Sequence, residues 1–302
     1  MDQRQIQYFV CLYEEGSVTR AAQRLHIVQP ALSMQIAKLE EELGRQLFVR
    51  GSKGMTPTAH ATHMYALFLP VLADFERARA QLLATSSELA GHARIGLPAS
   101  IAQDILAPAL LAFSSKHPRV SVSVTEAYTE ALVQGVTAGQ LDAAIVNKPR
   151  RLMLKAQPVL REGLVLVTST AHRALPAQVS FRQAAKMPLV LPTRQHGLRA
   201  IVEGACEATG LELHCAWEID SLGAIMQLVQ QRPELASLLP RTAVRKRLAE
   251  GSLRAHRVIG PALARELVCV SHPTRPVAPP AAAFLAVLIR QIQESDGPSA
   301  RR

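Results

Sequence analysis

Two sets of side chains in this 302-residue chain are of types and spacings that could do chemistry. The first falls early: Ser17 and Thr19, then Gln29, Pro30, Ser33, Met34 and Lys38, then Arg50 and Lys53. A glutamine amide can pair bidentately with N6 and N7 of adenine, a serine hydroxyl can reach a base edge or a phosphate, and Arg and Lys suit phosphates and the minor groove. The second set is spread over the later chain: Ala99, Ser100, Thr129, Asn147, Thr193, Arg194 and Ser221, with His196 beside it. Hydroxyls and free backbone N–H groups at helix starts can hold an anion, and Arg194 would add charge. No nucleophile–base pair and no Gly-rich phosphate loop is visible, so no catalytic residue and no cofactor is expected. The cysteines, Cys11, Cys206, Cys215 and Cys269, show no C-x-x-C spacing and no His cluster, so no metal site is expected either.

The first set has to be positioned by helices. Ile6, Phe9, Val10 and Tyr13 share one helix face, and Gly16 stops it. Ser17 suits the N-cap of a short second helix, Val18–Leu25, whose small Ala21 and Ala22 allow close approach. After the break His26-Ile27-Val28, a third helix starts at Gln29-Pro30, with Leu32, Ile36, Leu39 and Leu43 as its inner face and Gly44 as its stop. Gln29, Ser33, Met34, Ala37 and Lys38 then face outward. LFVR, GSKG and MTPT read as a β-hairpin wing with Arg50 and Lys53 at its tip. Periodicity alone leaves two readings open: a winged helix-turn-helix entering a major groove, or a three-helix interaction module with solvated polar faces.

Beyond the wing, Met64, Phe68, Val71, Phe75, Ala78 and Leu82 follow a 4-3-4-3-4 spacing, an a/d seam that calls for a second copy of the chain or for its own domain. Pro70 predicts a kink near Ala66–Leu69 or a late start, because an interior proline costs about 3 kcal/mol.

The run AAQRLHIVQPALSMQIAKLEEELGRQLFVR resembles the N-terminal domain of LysR-type transcriptional regulators. The departures are Val28 in place of the usual Ser/Thr cap, and Met34 and Ala37 where charged residues are common, which implies fewer phosphate contacts here than in many relatives. The resemblance implies double-stranded DNA as partner and linker helices paired between subunits. It also implies a dimer on an interrupted inverted repeat, two dimers forming a homotetramer, and RNA polymerase as a further candidate partner.

In the remaining chain, His92–Leu97, Val120–Val124 and Ala143–Val146 read as strands. Between them fall the loop PASIAQ, a helix around Ile105–Lys116 and a helix over Glu130–Ala138 stopped by Gly139. Strand–helix alternation predicts a parallel sheet. Further strands are expected at Leu164–Thr168, Leu189–Leu191 and Arg265–Val270, and helices near Leu198–Thr209, Leu222–Gln230 and Ala281–Gln293. LDAAIV and LPRTAVRKRLAEGSL extend the resemblance to the family's two-lobed, periplasmic-binding-protein-like α/β effector domain, while QQRPELASLLP, Gln230–Pro240, replaces a Gly-rich turn. The expected organisation is a winged helix-turn-helix over 1–60, a dimerising linker helix over 61–90 and an effector domain over 91–302. Its lobe I would be 91–165 with 265–293 and its lobe II 166–264. Ligands in such sheets bind beyond the carboxyl ends of the strands. Ser100, Thr129 and Ser221 each read singly as a helix cap; their convergence on one cleft is what suggests a site, and a small anion such as a carboxylate is the effector expected. The peroxide-sensing members' cysteine pair is not reproduced, because Gly197 stands at the first position.

Composition sets the remaining bounds. With 48% apolar and 19% charged residues the chain is neither disordered nor a disulfide-stapled miniprotein. The net charge of +10 points toward nucleic acid, but residues 1–90 hold 9 Lys/Arg against 9 Asp/Glu, leaving 25 against 15 for the rest. The excess is not in the part expected to read DNA. Charges at Asp2 and Arg4, no apolar leader, and a longest apolar run (Ala281–Ile289) half a membrane span long lead to the expectation of a cytoplasmic, membrane-free protein. An enzyme on the two-lobed domain and a plain solute-binding module are the competing readings.

Overall fold

The computed structural model describes residues 1–51, 54–83, 89–149 and 151–295. They form two compact units, residues 1–83 and, in the main, 89–295.

The first unit opens with α1 (Gln3–Glu15), whose start is closed by a capping box: the Asp2 carboxylate accepts from Gln5 N at 2.8 Å and the Gln5 amide oxygen accepts from Asp2 N at 3.0 Å. Gly16 ends it at φ 58°, and the Ser17 hydroxyl caps α2 (Val18–Arg24). α3 (Gln29–Leu43) starts at Val28 without a side-chain cap, takes Pro30 in its first turn and stops at Gly44, φ 59°. β1 (Phe48–Gly51) and β2 (Gly54–Pro57) form the wing, with Arg50 opposite Met55. The Glu40 carboxylate on α3 accepts from Leu47 N at 2.7 Å and Phe48 N at 3.0 Å, so the helix itself holds the wing's first strand. Gly54 is required where it stands, because at φ 119° an added Cβ would lie 2.5 Å from the Gly16 carbonyl oxygen.

Ile6, Phe9, Leu12, Ala21, Ala22, Leu32, Ile36, Leu39, Leu47 and Phe48 make one core. Leu43, expected on α3's inner face, is instead exposed: the chain turns at Gly44 and Leu47 enters the core. α4 (Ala59–Leu83) begins at once after Thr58, whose hydroxyl accepts from Ala61 N, and runs on through Pro70, correcting the expected late start. Ala66, whose carbonyl loses its donor to that proline, is on an exposed turn where water can serve it. The seam divides. Met64 and Phe68 pack on the unit's own core with Leu69 and Leu72, whereas Val71 and Phe75 are exposed together with Leu67. Leu82's side chain lies outside the described residues.

In the second unit β3 (Gly91–Leu97) runs directly into α5 (Ala99–Ile101), a π-helical turn (Ala102–Leu106) and α6 (Ala107–Ser114). The segment read as a loop is helix from Ala99, and Pro98 at its N-cap offers no capping side chain that would announce it. β4 (Val120–Glu126), α7 (Thr129–Thr137) and β5 (Ala143–Asn147) follow, and β3 lies parallel between β4 and β5. β6 (Lys155–Ser169) is a single 15-residue strand. After it come β7 (Gln178–Ser180), α8 (Phe181–Ala185), β8 (Leu189–Leu191), α9 (Gly197–Thr209), β9 (Cys215–Glu218), α10 (Leu222–Gln231), β10 (Ala236–Pro240), α11 (Arg241–Ala249), β11 (Leu253–Ile259), β12 (Ala264–Ser271) and α12 (Pro279–Ser295).

The sheet order is β4-β3-β5-β12-β6-β10-β8-β9, with β11 on β6 and β7 on β11. It is mixed rather than parallel: β12 is antiparallel to β5 and β6, and β6 is antiparallel to β10 and β11. β6 pairs with β12 up to Gly163 and with β10 from Leu164, so one strand belongs to both halves. One core, around Phe113, Ile145 and Phe284, lies on the β3 side, and another, around Phe181, Leu191 and Ile225, on the β8 side.

At the changeover sits a buried ion pair. Arg265 of β12 places Nε 2.8 Å and Nη2 2.6 Å from Oε1 of Glu162 on β6. Its Nη1 donates to the Ser100 hydroxyl at 2.6 Å and its Nη2 to Thr242 Oγ1 at 3.1 Å. Thr242 in turn donates its backbone N–H and hydroxyl to Glu162. Losing one partner strands the other charge away from water, so Arg265→Met should cost roughly 3–5 kcal/mol in urea unfolding, and Arg265→Met with Glu162→Leu should recover part of that. A single variant as stable as the parent would contradict the role.

Candidate functional site

On the first unit, Thr19, Gln29, Pro30, Ser33, Met34, Lys38 and Arg50 are all exposed and Ser17 is half-buried at the α2 cap. Lys53 lies outside the described residues. The Gln29 amide nitrogen donates to Thr19 Oγ1 at 3.0 Å, which fixes the side chain between α2 and α3 and leaves one N–H and the carbonyl oxygen free. That is the donor and acceptor adenine needs. Two nearby arginines are already occupied: Arg24 pairs with Glu14 at 2.7 Å and Glu15 at 3.2 Å, and Arg20 pairs with Glu15.

On the second unit, the carboxyl ends of β3, β4 and β5 and the starts of α9 and α10 surround a cavity of about 720 Å³. This is within the range of small-molecule sites. Ala99, Thr129, Asn147 and Ser221 line it together. Ser221 also caps α10, accepting from Ala224 N at 3.3 Å. Ser100, Thr193 and Arg194 are not in its wall. The Ser100 hydroxyl is occupied by Arg265. Thr193 donates its backbone N–H and hydroxyl to Asp220 Oδ1 at 3.0 and 2.7 Å, and so acts through that carboxylate. Arg194 is 78% exposed and pairs with Glu203, because the chain before α9 turns it outward.

Gln103, Glu126, Tyr128 and Asp220, which the sequence does not single out, complete the wall together with His196, which it does, and Gly197. Glu126 ends β4 and Asp220 immediately precedes the Ser221 cap, positions that carry no motif of their own in the sequence. His196 caps α9, its Nδ1 accepting from Leu198 N at 3.1 Å, which leaves Nε2–H as a donor. Burial, beyond the opposing effect of Asp220, lowers its pKa and keeps the ring neutral. The Tyr128 ring meets His196 edge-on at 5.7 Å, with its hydroxyl near the Asp220 carboxylate. Burial and that neighbouring carboxylate raise the Tyr128 pKa. Burial alone would raise the Asp220 carboxyl, but the Tyr128 and Thr193 donors hold it below its ordinary 3.8. Asn147 packs against Gly197 at the edge of the cavity: an added Cβ on Gly197 would lie 3.1 Å from Asn147 Nδ2, and Asn147 Oδ1 is buried without a hydrogen-bond partner. The charged side chains of the wall are Glu126 and Asp220; no Lys or Arg is among them, opposite to the expectation built on Arg194.

The model of the bacterial regulatory helix-turn-helix proteins of the lysR family matches residues 3–62, and that of the LysR substrate binding domain matches residues 86–293. The chain belongs to the LysR family. It is a DNA-binding transcriptional regulator with an effector-binding domain, not an enzyme. The nitrogen assimilation regulatory protein nac of Klebsiella aerogenes is 34% identical over 248 residues, covering 81% of this chain and 80% of that protein. Among solved structures, a full-length OxyR variant from Pseudomonas aeruginosa superposes with a TM-score of 0.76 at 24% identity, covering 97% of this chain and 95% of that one. Full-length CbnR in complex with its target DNA gives 0.67 at 21%, covering 96% and 100%. These likenesses support the LysR fold. Cys11, Cys206, Cys215 and Cys269 are free, and burial raises the Cys206 thiol pKa. Among the described residues no helix is long and apolar enough to cross a membrane.

The neutral His196 sets a pH dependence. Its folded pKa is below the ordinary value of about 6.5, so as pH falls through that value the unfolded chain takes up the proton first and stability drops. His196→Asn, which retains a capping side chain, should show a shallower fall in urea midpoint between about pH 7.5 and 5.5. His92, lowered by burial and Arg94, is common to both proteins. An identical fall would contradict the assignment.

Proposed function

We propose that this LysR regulator reads an interrupted inverted repeat through α3 and the wing and responds to a small metabolite bound in the cleft at Asn147 and Asp220. The organisation proposed is a reading head over 1–60, a pairing helix over 61–90 and an effector domain over 91–302. The observation that carries the reading is the outward face of α3, where Gln29 is held by Thr19 and flanked by exposed Ser33 and Lys38. Leu67, Val71 and Phe75, exposed on α4, support pairing with a second copy, and two such dimers would form the tetramer. Two recognition helices related by a twofold axis explain a palindromic site. Ser17, Thr19 and Pro30 set the approach of α3, Lys38, Arg50 and Lys53 contact phosphates, and Met34 lies against the bases. An anionic effector would find hydroxyls and backbone N–H groups in the cleft but no cationic side chain in the wall.

Gel shifts on DNA flanking the protein's own gene test this. Gln29→Ala should weaken binding by roughly 1–3 kcal/mol, mostly through one base pair, while Lys38→Ala should weaken binding to all sequences alike and flatten the salt dependence. A Gln29→Ala loss equal on every sequence would contradict base reading.

A further inference from the structure

Resting on the proposal that the cleft is the effector site, we infer that its effector carries a protonated nitrogen, an ammonium or guanidinium group, held between Glu126 and Asp220. The cavity wall has two carboxylates and no Lys or Arg. Arg265 is engaged with Glu162, Lys148 with Glu266 at 2.8 Å, and Arg199 with Glu203 and Glu218. His196, the remaining titratable base of the wall, is kept uncharged by burial and by its cap to Leu198, so it supplies a donor but no countercharge. Asp220 is pre-positioned by the backbone N–H and hydroxyl of Thr193, with the Tyr128 hydroxyl nearby. These donors keep it ionised and leave its remaining lone pairs for a ligand. Glu126 makes no ion pair or side-chain hydrogen bond among the described residues.

Two carboxylates and no fixed cation form the complement of a nitrogen bearing several N–H donors. The same wall repels a second anion and so selects against a dicarboxylate of equal size. Pro98, Ala99, Ala102, Leu106 and Leu222 form its apolar part and suit a short aliphatic chain. Because Glu126 comes from the β4 half and Asp220 from the β9 half, a cation between them draws the two halves together.

The test is thermal shift and calorimetric titration of the full-length protein with putrescine, agmatine, L-lysine and L-arginine, against succinate and glutarate as matched dianions. At least one cationic probe should raise the melting temperature in a saturable way, and Glu126→Gln should weaken that probe on the order of 10- to 100-fold, as expected for loss of a charge-assisted bond. Asp220→Asn should do the same. Free diamines and amino acids separate a bare cation from a zwitterion. The inference is overturned if dicarboxylates stabilise the protein and no cation does. It is also overturned if no cationic probe shifts melting, or if a cation's affinity survives Glu126→Gln and Asp220→Asn together. DNA binding by the ligand-free parent is measured alongside. Its loss would count against the regulator reading, whereas intact DNA binding with a carboxylate-selective cleft would count against the cation alone.

Discussion

The Arg265–Glu162 pair is the constraint on which the second unit depends. Two charges fully out of water are tolerable only when their polar atoms have partners, because removing them from water costs several kcal/mol per ion. Here that condition is met by groups from four places: β12, β6, Ser100 at the start of α5, and Thr242 at the start of α11. The two cores are therefore joined at a point that fixes both the first helix of one half and a late helix of the other. The strand β6 changes neighbour at the same place, between Gly163 and Leu164.

Much of this was legible in the residues, for reasons that can be named. The reading head was, because α1 and α3 bury regular stripes and stop at glycines with positive φ, and because Ser17 announces α2. Leu43 was misassigned because periodicity does not know where the chain turns away. In β6 the stretch Leu164–Thr168 stood out, but its polar, exposed first half did not, and so the strand shared by both halves was half missed. β10 is buried along its whole length, yet the charged RPE before it disguised it as loop. Cys215–Glu218 is too short and too polar to announce a strand, which concealed Asp220 at its end. The capping hydroxyls of the cleft could be found one at a time. The carboxylates could not, since their meaning arises only when strands distant in sequence converge.

Charge distribution shifts in meaning in the same way. A net charge of +10 suggests a DNA-binding surface, but the first unit neutralises itself, with Glu14 and Glu15 occupying Arg20 and Arg24. Net charge therefore gives this unit little of its attraction, and sequence reading rests on geometry: a glutamine fixed at the head of α3 and a wing tied to the helix by Glu40. The basic excess of the second unit does not reach its cavity, whose wall is acidic. Overall charge therefore predicts neither the reading residues nor the ligand.

The central claim is that one chain couples a cleft to a sequence-reading helix. Footprinting the full-length protein on DNA flanking its own gene, with and without a saturating ligand of the cleft, tests it most directly. The account predicts two protected segments related by a twofold axis, their centres about one helical turn or a multiple apart, and a changed pattern when ligand is added. Protection indifferent to sequence, or a footprint unmoved by a ligand that measurably stabilises the protein, would contradict it.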